Sequence, residues 1–218
     1  MIHMSAIPDF PARKTISEDE RKMHMSTIGI LTESPRGVQT IGIDEDFLKK
    51  RAIFFNKPCD SETCCELMKQ LMYLEEDDNT SEVTIYINSP GGEVTSGIAV
   101  YDYIRLMKSP VRTVCTGICA SMASILFLAG DKREMFPHTE VMMHDPSYSL
   151  KTFDGVKPNQ IAELLANIVK TRDMIAGIIA QRTGMQFDEV LKITANDSYF
   201  KADEALKLGI ATKIITEL

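Results

Sequence analysis

The feature that most constrains the fold of this chain is an alternation of strand-like and helical segments through its central part. Short runs of β-branched and aromatic residues are separated by segments that carry apolar residues at helical spacing. The strand-like runs are 52–55, 83–87 and 111–116, and helical segments begin near Ser61, Val94 and Ile125. Strands that alternate with helices in this way favour a parallel sheet covered by helices. The sequence therefore predicts an α/β fold.

Composition excludes several classes of protein. The formal net charge of −7 and the lack of basic patches argue against nucleic acid as a main partner. Apolar runs stay shorter than the roughly 18 residues of a membrane span, and the N-terminus does not read as a signal peptide. The five cysteines fit neither a disulfide framework nor a zinc site, so we expect reduced thiols in a cytoplasmic protein.

The two ends of the chain differ in character. Residues 1–25 are polar and contain Pro8 and Pro11, so we expect a flexible or processed N-terminal segment. Residues 26–218 show no internal linker or repeat and predict a single domain. Within it, a long helix should start at Pro158 and run to about Thr183.

A candidate nucleophile lies in the small-residue stretch 117–124. Ser121 stands between Ala120 and Met122, where a strand-like run passes into an apolar helical run. A serine nucleophile requires small neighbours, a sharp turn and a helix N-terminus, and this junction offers all three. Close packing is the usual explanation of such a small-residue turn, so the case for a nucleophile depends on other residues.

Histidine is the usual base for such a serine, and the chain has four histidines. His3 and His24 lie in the polar N-terminal segment, and His138 lies in a predicted turn. His144 follows the apolar strand 141–143, at the edge where open α/β sheets place their sites. His144 is therefore the candidate base, although a structural role remains an open alternative.

The residues alone leave the third member of such a site open. Asp145, Asp173 and Asp197 are candidates among 31 acidic residues, and nothing in their spacing distinguishes them. Oxyanion donors are easier to locate, because backbone N–H groups serve this purpose. Gly91–Gly92, which lack side chains, and the N–H of Met122 are the candidates, with a simple tight turn as the alternative for the glycines.

Three motifs occur together and in order. They are Ser89-Pro90-Gly91-Gly92, Gly117-x-x-Ala120-Ser121-Met122 and Met143-His144-x-Pro146. With this set, the chain from about Phe47 to its C-terminus resembles the ClpP family, the proteolytic subunit of the Clp ATP-dependent proteases.

The resemblance implies a serine endopeptidase and assigns a role to each site residue. Ser121 would be the nucleophile, His144 the general base, and Asp197 the carboxylate that orients the histidine. Gly92 and Met122 would supply the oxyanion hole. No cofactor or metal ion is implied.

The resemblance also implies a fold and partners. The fold would be the ClpP/crotonase-like arrangement of repeated ββα units with a long protruding handle helix. The chain would form a homo-oligomer of heptameric rings, a tetradecamer when two rings stack, and a Clp-type AAA+ ATPase would feed it unfolded polypeptides. Tyr86, Leu106 and Phe136 fall where the family has its apolar docking pocket for the ATPase, with ordinary core packing as the alternative.

Two departures from the family pattern keep other functions open. Asn196 replaces an arginine that pairs between rings, and residues 145–151 replace a glycine-rich strand that lines the substrate groove. One alternative is a structural or regulatory subunit of a mixed ring that needs a second ClpP paralogue. Another is an acyl-CoA enzyme on the same fold, which would not need Ser121 as a nucleophile.

Overall fold

The computed structural model describes residues 29–34, 37–147 and 156–217. The described residues divide into two compact units, the first ending at Asp46 and the second beginning at Phe47. The flexible segment predicted for residues 1–25 lies outside the described residues, as do residues 148–151 of the segment that departs from the family pattern.

The first unit contains an antiparallel hairpin. Strand β1 (Gly29–Ser34) pairs with strand β2 (Gly37–Gly42), with Ser34 opposite Gly37. Helix α1 (Ile43–Lys49) begins in this unit and ends in the next. Its first turn is acidic and its last turn carries Lys49, which matches the helix dipole at both ends.

The second unit is built on a mostly parallel sheet. Its main path contains, in spatial order, β3 (Ala52–Phe55), β4 (Val83–Ser89), β5 (Val111–Ala120), β6 (Lys132–Met135) and β9 (Lys213–Ile214). Two further strands are β7 (Glu140–Met143) and β8 (Ser198–Lys201). Strand β5 is long enough to pair with β6 through its first half and with β7 through its last three residues. Strand β8 then pairs with β7 in the antiparallel sense.

Six helices follow in this unit, counted over the residues that the structure describes. They are α2 (Ser61–Asp77), α3 (Val94–Leu106), α4 (Met122–Ala129), α5 (Pro158–Thr183), α6 (Phe187–Thr194) and α7 (Ala202–Lys207). Asp60 caps α2: its carboxylate accepts hydrogen bonds from the N–H groups of Glu62 and Thr63. Burial of the apolar side chains in such helices contributes about 1.5–3 kcal/mol for each large residue.

Helix α4 lies at the centre of the core. All of its side chains are buried, and Phe127, Leu128 and Ala129 are fully inaccessible to solvent. Helix α3 approaches it closely at Gly97, where a Cβ atom would lie 2.3 Å from the Cγ atom of Met122. Glycine at this position leaves room for the Met122 side chain, which a larger residue would have to displace.

The predicted α/β class with a parallel sheet is confirmed, and two local features differ from expectation. Strand β8 forms in a segment for which the sequence predicted no strand. Helix α5 has the predicted bounds and ends at Gly184 in the left-handed conformation, but its apolar stripe is only partly covered. Ile175 and Ile179 are buried, whereas Leu165 is 59% exposed in the first half of the helix.

The cysteines and the helices can be compared with the expectations from composition. The five cysteines are free thiols. In the part of the chain that the structure describes, we find no helix with the length and apolar character that crossing a membrane requires.

Candidate active site

Ser121 occupies a strained turn between β5 and α4. Its φ of 52° and ψ of −123° lie in a region that non-glycine residues rarely adopt, at a cost of about 1–3 kcal/mol. The N–H of Ser121 donates to the Met142 carbonyl over 2.9 Å, and its own carbonyl accepts from the Ser124 N–H and hydroxyl over 2.9 and 2.6 Å. The backbone of Ser121 is therefore held on both sides, as in a nucleophile elbow.

The pairing of β5 with β7 brings His144 to Ser121. The parallel ladder ends with Ala120 beside Met142, so Ser121 and His144 leave their strands at the same edge of the sheet. The Nε2 atom of His144 lies 2.8 Å from the Oγ atom of Ser121, a normal hydrogen-bond distance. The two residues that the sequence singled out independently are thus in direct contact.

The pairing of β7 with β8 brings Asp197 to the other side of the imidazole. The antiparallel ladder ends with Met143 opposite Ser198, and its register continued by one step sets His144 opposite Asp197. The Oδ1 atom of Asp197 lies 3.3 Å from the Nδ1 atom of His144. Strand β8, which the sequence did not predict, is therefore what positions this carboxylate.

The position of Asp197 favours one tautomer of His144. A carboxylate beside Nδ1 favours a proton on that nitrogen, which leaves the lone pair of Nε2 directed at Ser121. The two side chains differ in exposure, since 23% of the His144 side chain and 63% of the Asp197 side chain are accessible. The His144 side chain is thus partly sheltered, while its carboxylate partner remains largely solvated.

Gly91 packs directly against the turn that carries Ser121. Its φ is 84°, and a Cβ atom there would lie 2.4 Å from the Ala120 carbonyl oxygen and 2.8 Å from the Met122 nitrogen. The N–H of Gly91 donates to the buried Ser89 hydroxyl over 3.2 Å. Only glycine allows the 89–92 segment and the serine turn to come this close.

The N–H of Gly92 is oriented by a bridge to Cys59. The N–H of Cys59 donates to the Gly91 carbonyl over 2.8 Å, and the N–H of Glu93 donates to the Cys59 carbonyl over 2.7 Å. Because the peptide bond between Gly91 and Gly92 is trans, the N–H of Gly92 points away from Cys59.

Met122 is the first residue of α4. Its N–H therefore has no acceptor within the helix and lies at the positive end of the helix dipole. Together with Gly92, it gives the site two backbone donors on segments that touch through Gly91. Backbone donors of this kind suit a developing oxyanion.

A narrow, mostly apolar pocket of about 20 Å³, room for one water molecule, adjoins Ser121 and His144. Its apolar lining consists of Val94, Met122, Ile125, Met143, Pro146, Ile175 and Ile179. Ile175 and Ile179 come from α5, far along the chain. The sequence showed the apolar stripe of this helix, but no local signal assigned these two positions to a pocket.

The three predicted docking residues lie away from the serine turn in different environments. Leu106, the last residue of α3, is 82% exposed, whereas Phe136 is half-buried after β6. Tyr86 stacks on Phe54 with ring centroids 4.9 Å apart, and Phe47 meets Phe54 edge-on. Sequence reasoning missed Phe54, which it placed in a buried strand although the side chain is 48% exposed.

The acidic side chains outside this pair have other surroundings. Within the described residues, no three His, Cys, Asp or Glu side chains are grouped so that they could hold a metal ion. Asp173, one of the open carboxylate candidates, pairs with Arg172 on α5. Asp145 hydrogen-bonds to Thr194 over 2.7 Å.

The chain was also compared with models of protein families. A model of the Clp protease family matches residues 35–218. The match begins before Phe47, where the motif resemblance began, and it includes all five residues proposed for the catalytic site.

Proposed function

This chain belongs to the Clp protease family, and from this premise we propose that it is a serine endopeptidase subunit that acts through Ser121, His144 and Asp197. The observation that carries the proposal is the 2.8 Å contact between Ser121 Oγ and His144 Nε2. That contact occurs on a strained strand-to-helix turn, the local geometry that nucleophilic serines require.

The first half of the reaction forms an acyl-enzyme. His144 Nε2 accepts the hydroxyl proton as Ser121 Oγ bonds to the carbonyl carbon of a peptide. The resulting oxyanion binds the N–H groups of Gly92 and Met122. The protonated His144 then donates its proton to the leaving amine, and the C–N bond breaks.

The second half releases the product. Water loses a proton to His144 Nε2 and attacks the ester carbonyl, and the same two N–H groups bind the second oxyanion. The ester bond breaks and Ser121 Oγ recovers its proton from His144. Asp197 stabilises the imidazolium in both halves without taking its proton.

The pocket beside Ser121 supports a preference for substrates with an apolar side chain next to the cleaved bond. Apart from Ser121, Ser124 and His144, its lining consists of apolar side chains, so a charged side chain would lose its hydration without an oppositely charged partner. Each methylene that such a pocket buries contributes about 0.8 kcal/mol.

We propose an assembly of heptameric rings that is fed by a Clp-type AAA+ ATPase in the cytoplasm. Family membership is the main support. Exposed apolar residues add to it, because Ile161 and Leu165 on the first half of α5 would be covered by a second copy. Leu106, Phe136 and Tyr86, which stacks on the exposed Phe54, are the apolar groups that we assign to ATPase docking.

The test is hydrolysis of fluorogenic peptides by the purified protein, with particle size measured in parallel. We expect cleavage after apolar residues by a large particle, and loss of cleavage in Ser121→Ala. Ser96→Ala is the matched control and should retain activity. It removes a hydroxyl on α3 that donates a hydrogen bond to the Glu93 carboxylate.

Other outcomes would favour the alternatives. Cleavage that appears only when a paralogous subunit is added would indicate a regulatory subunit of a mixed ring. Acyl-CoA turnover that survives Ser121→Ala, in a protein that cleaves no peptide, would contradict the peptidase function.

A further inference from the structure

A pair of hydrogen bonds joins the segment after His144 to the end of helix α6. The N–H of Asp145 donates to the Thr194 carbonyl over 2.7 Å. The Thr194 hydroxyl donates to the Asp145 Oδ1 atom, also over 2.7 Å. Thr194 is only 3% exposed, so both bonds are shielded from competing water on its side.

These two bonds lie next to both members of the His–Asp pair. Asp145 directly follows His144, and Thr194 precedes Asp197 by three residues. On the far side of the same turn, the Ser198 hydroxyl donates to the Ile193 carbonyl over 2.7 Å. The turn that carries Asp197 is therefore hydrogen-bonded on both sides. Before Asp197, Thr194 bonds to Asp145, and after it, Ser198 bonds to Ile193 of α6.

Asp197 depends on this turn for its position. Because 63% of its side chain is exposed, packing contributes little to holding the carboxylate in place. Its distance of 3.3 Å from His144 Nδ1 is already at the long end for a hydrogen bond. A small outward movement of the turn would break the contact.

We propose that Asp145 and Thr194 are positioning residues, which together act as a clamp that keeps Asp197 against His144. The proposal rests on the peptidase function proposed above. Neither residue touches the reacting atoms, and each acts through Asp197. From the sequence, Asp145 was a candidate partner for His144. In the structure its carboxylate accepts a hydrogen bond from Thr194 instead.

The consequence for catalysis follows from the tautomer of His144. Without Asp197 at Nδ1, the imidazole proton is free to occupy Nε2, and such a histidine cannot accept the Ser121 proton. A misplacement of about 1 Å in a catalytic group can lower the rate on the order of 100-fold. Opening the clamp should therefore lower kcat and leave KM nearly unchanged, since neither Asp145 nor Thr194 lines the substrate pocket.

The test is a double-mutant cycle on peptide cleavage that combines Thr194→Val with Asp197→Ala. Valine keeps the shape of threonine but lacks its hydroxyl. We expect Thr194→Val to lower kcat roughly 10- to 100-fold, and Asp197→Ala to lower it about 10⁴-fold. In the Asp197→Ala background, Thr194→Val should have no further effect on kcat, because the clamp acts only through Asp197.

Further variants separate positioning from folding. Thr194→Ser restores a hydroxyl and should recover kcat to within about threefold of the wild type. Asp145→Ala, at a half-exposed position, should reproduce the loss, while Asp145→Asn keeps an oxygen acceptor and should not. Glu140→Gln removes the ion pair with Lys201 at the opposite end of the β7–β8 ladder and is the matched control.

The outcomes distinguish the clamp from the function on which it rests. Equal losses from Thr194→Val in the wild-type and Asp197→Ala backgrounds would overturn the clamp. The clamp would also be overturned if the wild type cleaves peptides, Asp197→Ala loses this activity, and Thr194→Val remains fully active. A wild type that cleaves no peptide under any condition would overturn the proposed function, and the clamp with it.

Discussion

The two ends of helix α4 are built in opposite ways. At its N-terminal end the chain is strained at Ser121, and the N–H of Met122 has no acceptor within the helix. At its C-terminal end the carbonyl groups of 127–130 are all hydrogen-bonded to side chains, although helix ends normally leave such carbonyls unpaired within the helix.

Three arginines and a threonine satisfy the C-terminal end. Their hydrogen bonds run from Arg182 to the carbonyls of Leu128 and Gly130, from Arg105 to Ala129, from Arg133 to Gly130, and from Thr113 to Phe127. Burial, together with the nearby positive charges of Arg182 and Arg105, lowers the pKa of Arg133 to about 10. The guanidinium nevertheless remains charged at neutral pH, which suits the negative end of the helix dipole.

The two ends of α4 therefore have different roles, one in the chemistry of the site and the other in stability. The N–H groups at the N-terminal end that have no acceptor within the helix can bind a substrate. Groups with full sets of partners at the C-terminal end hold the helix in the core. Substitutions at the two ends should therefore separate activity from stability.

The largest effect is expected at the N-terminal end from His144→Ala. Loss of the base should lower kcat about 10⁴-fold or more. The free energy of unfolding should change little, because the side chain is partly exposed. Peptide cleavage and denaturant unfolding measure the two quantities. His138→Ala, at an exposed position in the preceding loop, should leave both near wild type, and a similar loss of activity there would contradict the assignment.

Gly91→Ala should damage both activity and stability. A Cβ atom would lie 2.4 Å from the Ala120 carbonyl oxygen, and the positive φ disfavours alanine. We expect kcat to fall on the order of 100-fold as the oxyanion donors shift, with a loss of about 1–3 kcal/mol in stability from backbone strain. Gly177→Ala, where a Cβ atom meets nothing within 4 Å, should instead stabilise α5 by about 0.5–1 kcal/mol. Equal effects of the two variants would argue against the close approach.

Arg133→Met tests the C-terminal end. The guanidinium also donates to the carbonyls of Ile210, Gly209 and Arg182, so its removal leaves several buried acceptors without a donor. We expect a loss of roughly 3 kcal/mol in the free energy of unfolding, with kcat within about threefold of the wild type. Lys132→Met removes the neighbouring exposed ion pair with Glu82 and should change stability little. A loss of activity in Arg133→Met without a loss of stability would reverse the contrast between the two ends.

The smallest effect is expected at Asp131, which follows the C-terminal end of α4. Although burial opposes it, hydrogen bonds from the Val111 N–H and from Arg105 lower the pKa of Asp131. A lowered folded-state pKa adds stability above the unfolded value of about 4, and that stability is lost as the pH falls through the folded value. Asp131→Asn should therefore cost less than about 1 kcal/mol at pH 7, because the side chain is half exposed, and the difference should vanish in acid. A difference that grows in acid would contradict this sign.

The sequence predicted the parts of the site that depend on local pattern. Ser121 lies at a strand-to-helix junction and His144 at the end of an apolar strand, and both patterns are short enough to read from neighbouring residues. The parallel sheet followed from the alternation of strands and helices. The family match is consistent with these assignments.

The remaining parts depend on contacts between distant segments. Asp197 was one acid among many until a family resemblance singled it out, because its position is set by the register of β7 with β8. Strand β8 buries only Phe200 of its four residues, so it lacks the apolar run that identified the strands at 52–55 and 141–143. The arginines around the end of α4 gave no signal, since a buried arginine looks like a surface one in sequence.

The most direct test of the central claim is the mass spectrum of the protein after treatment with a fluorophosphonate, which bonds covalently to activated serines. We expect one adduct per chain, on the peptide that contains Ser121, and a sharp reduction in the rate of labelling in His144→Ala. A labelled Ser121 of this kind would establish the nucleophile. An unlabelled Ser121 in a protein that cleaves peptides, or an adduct on another serine, would contradict the assignment.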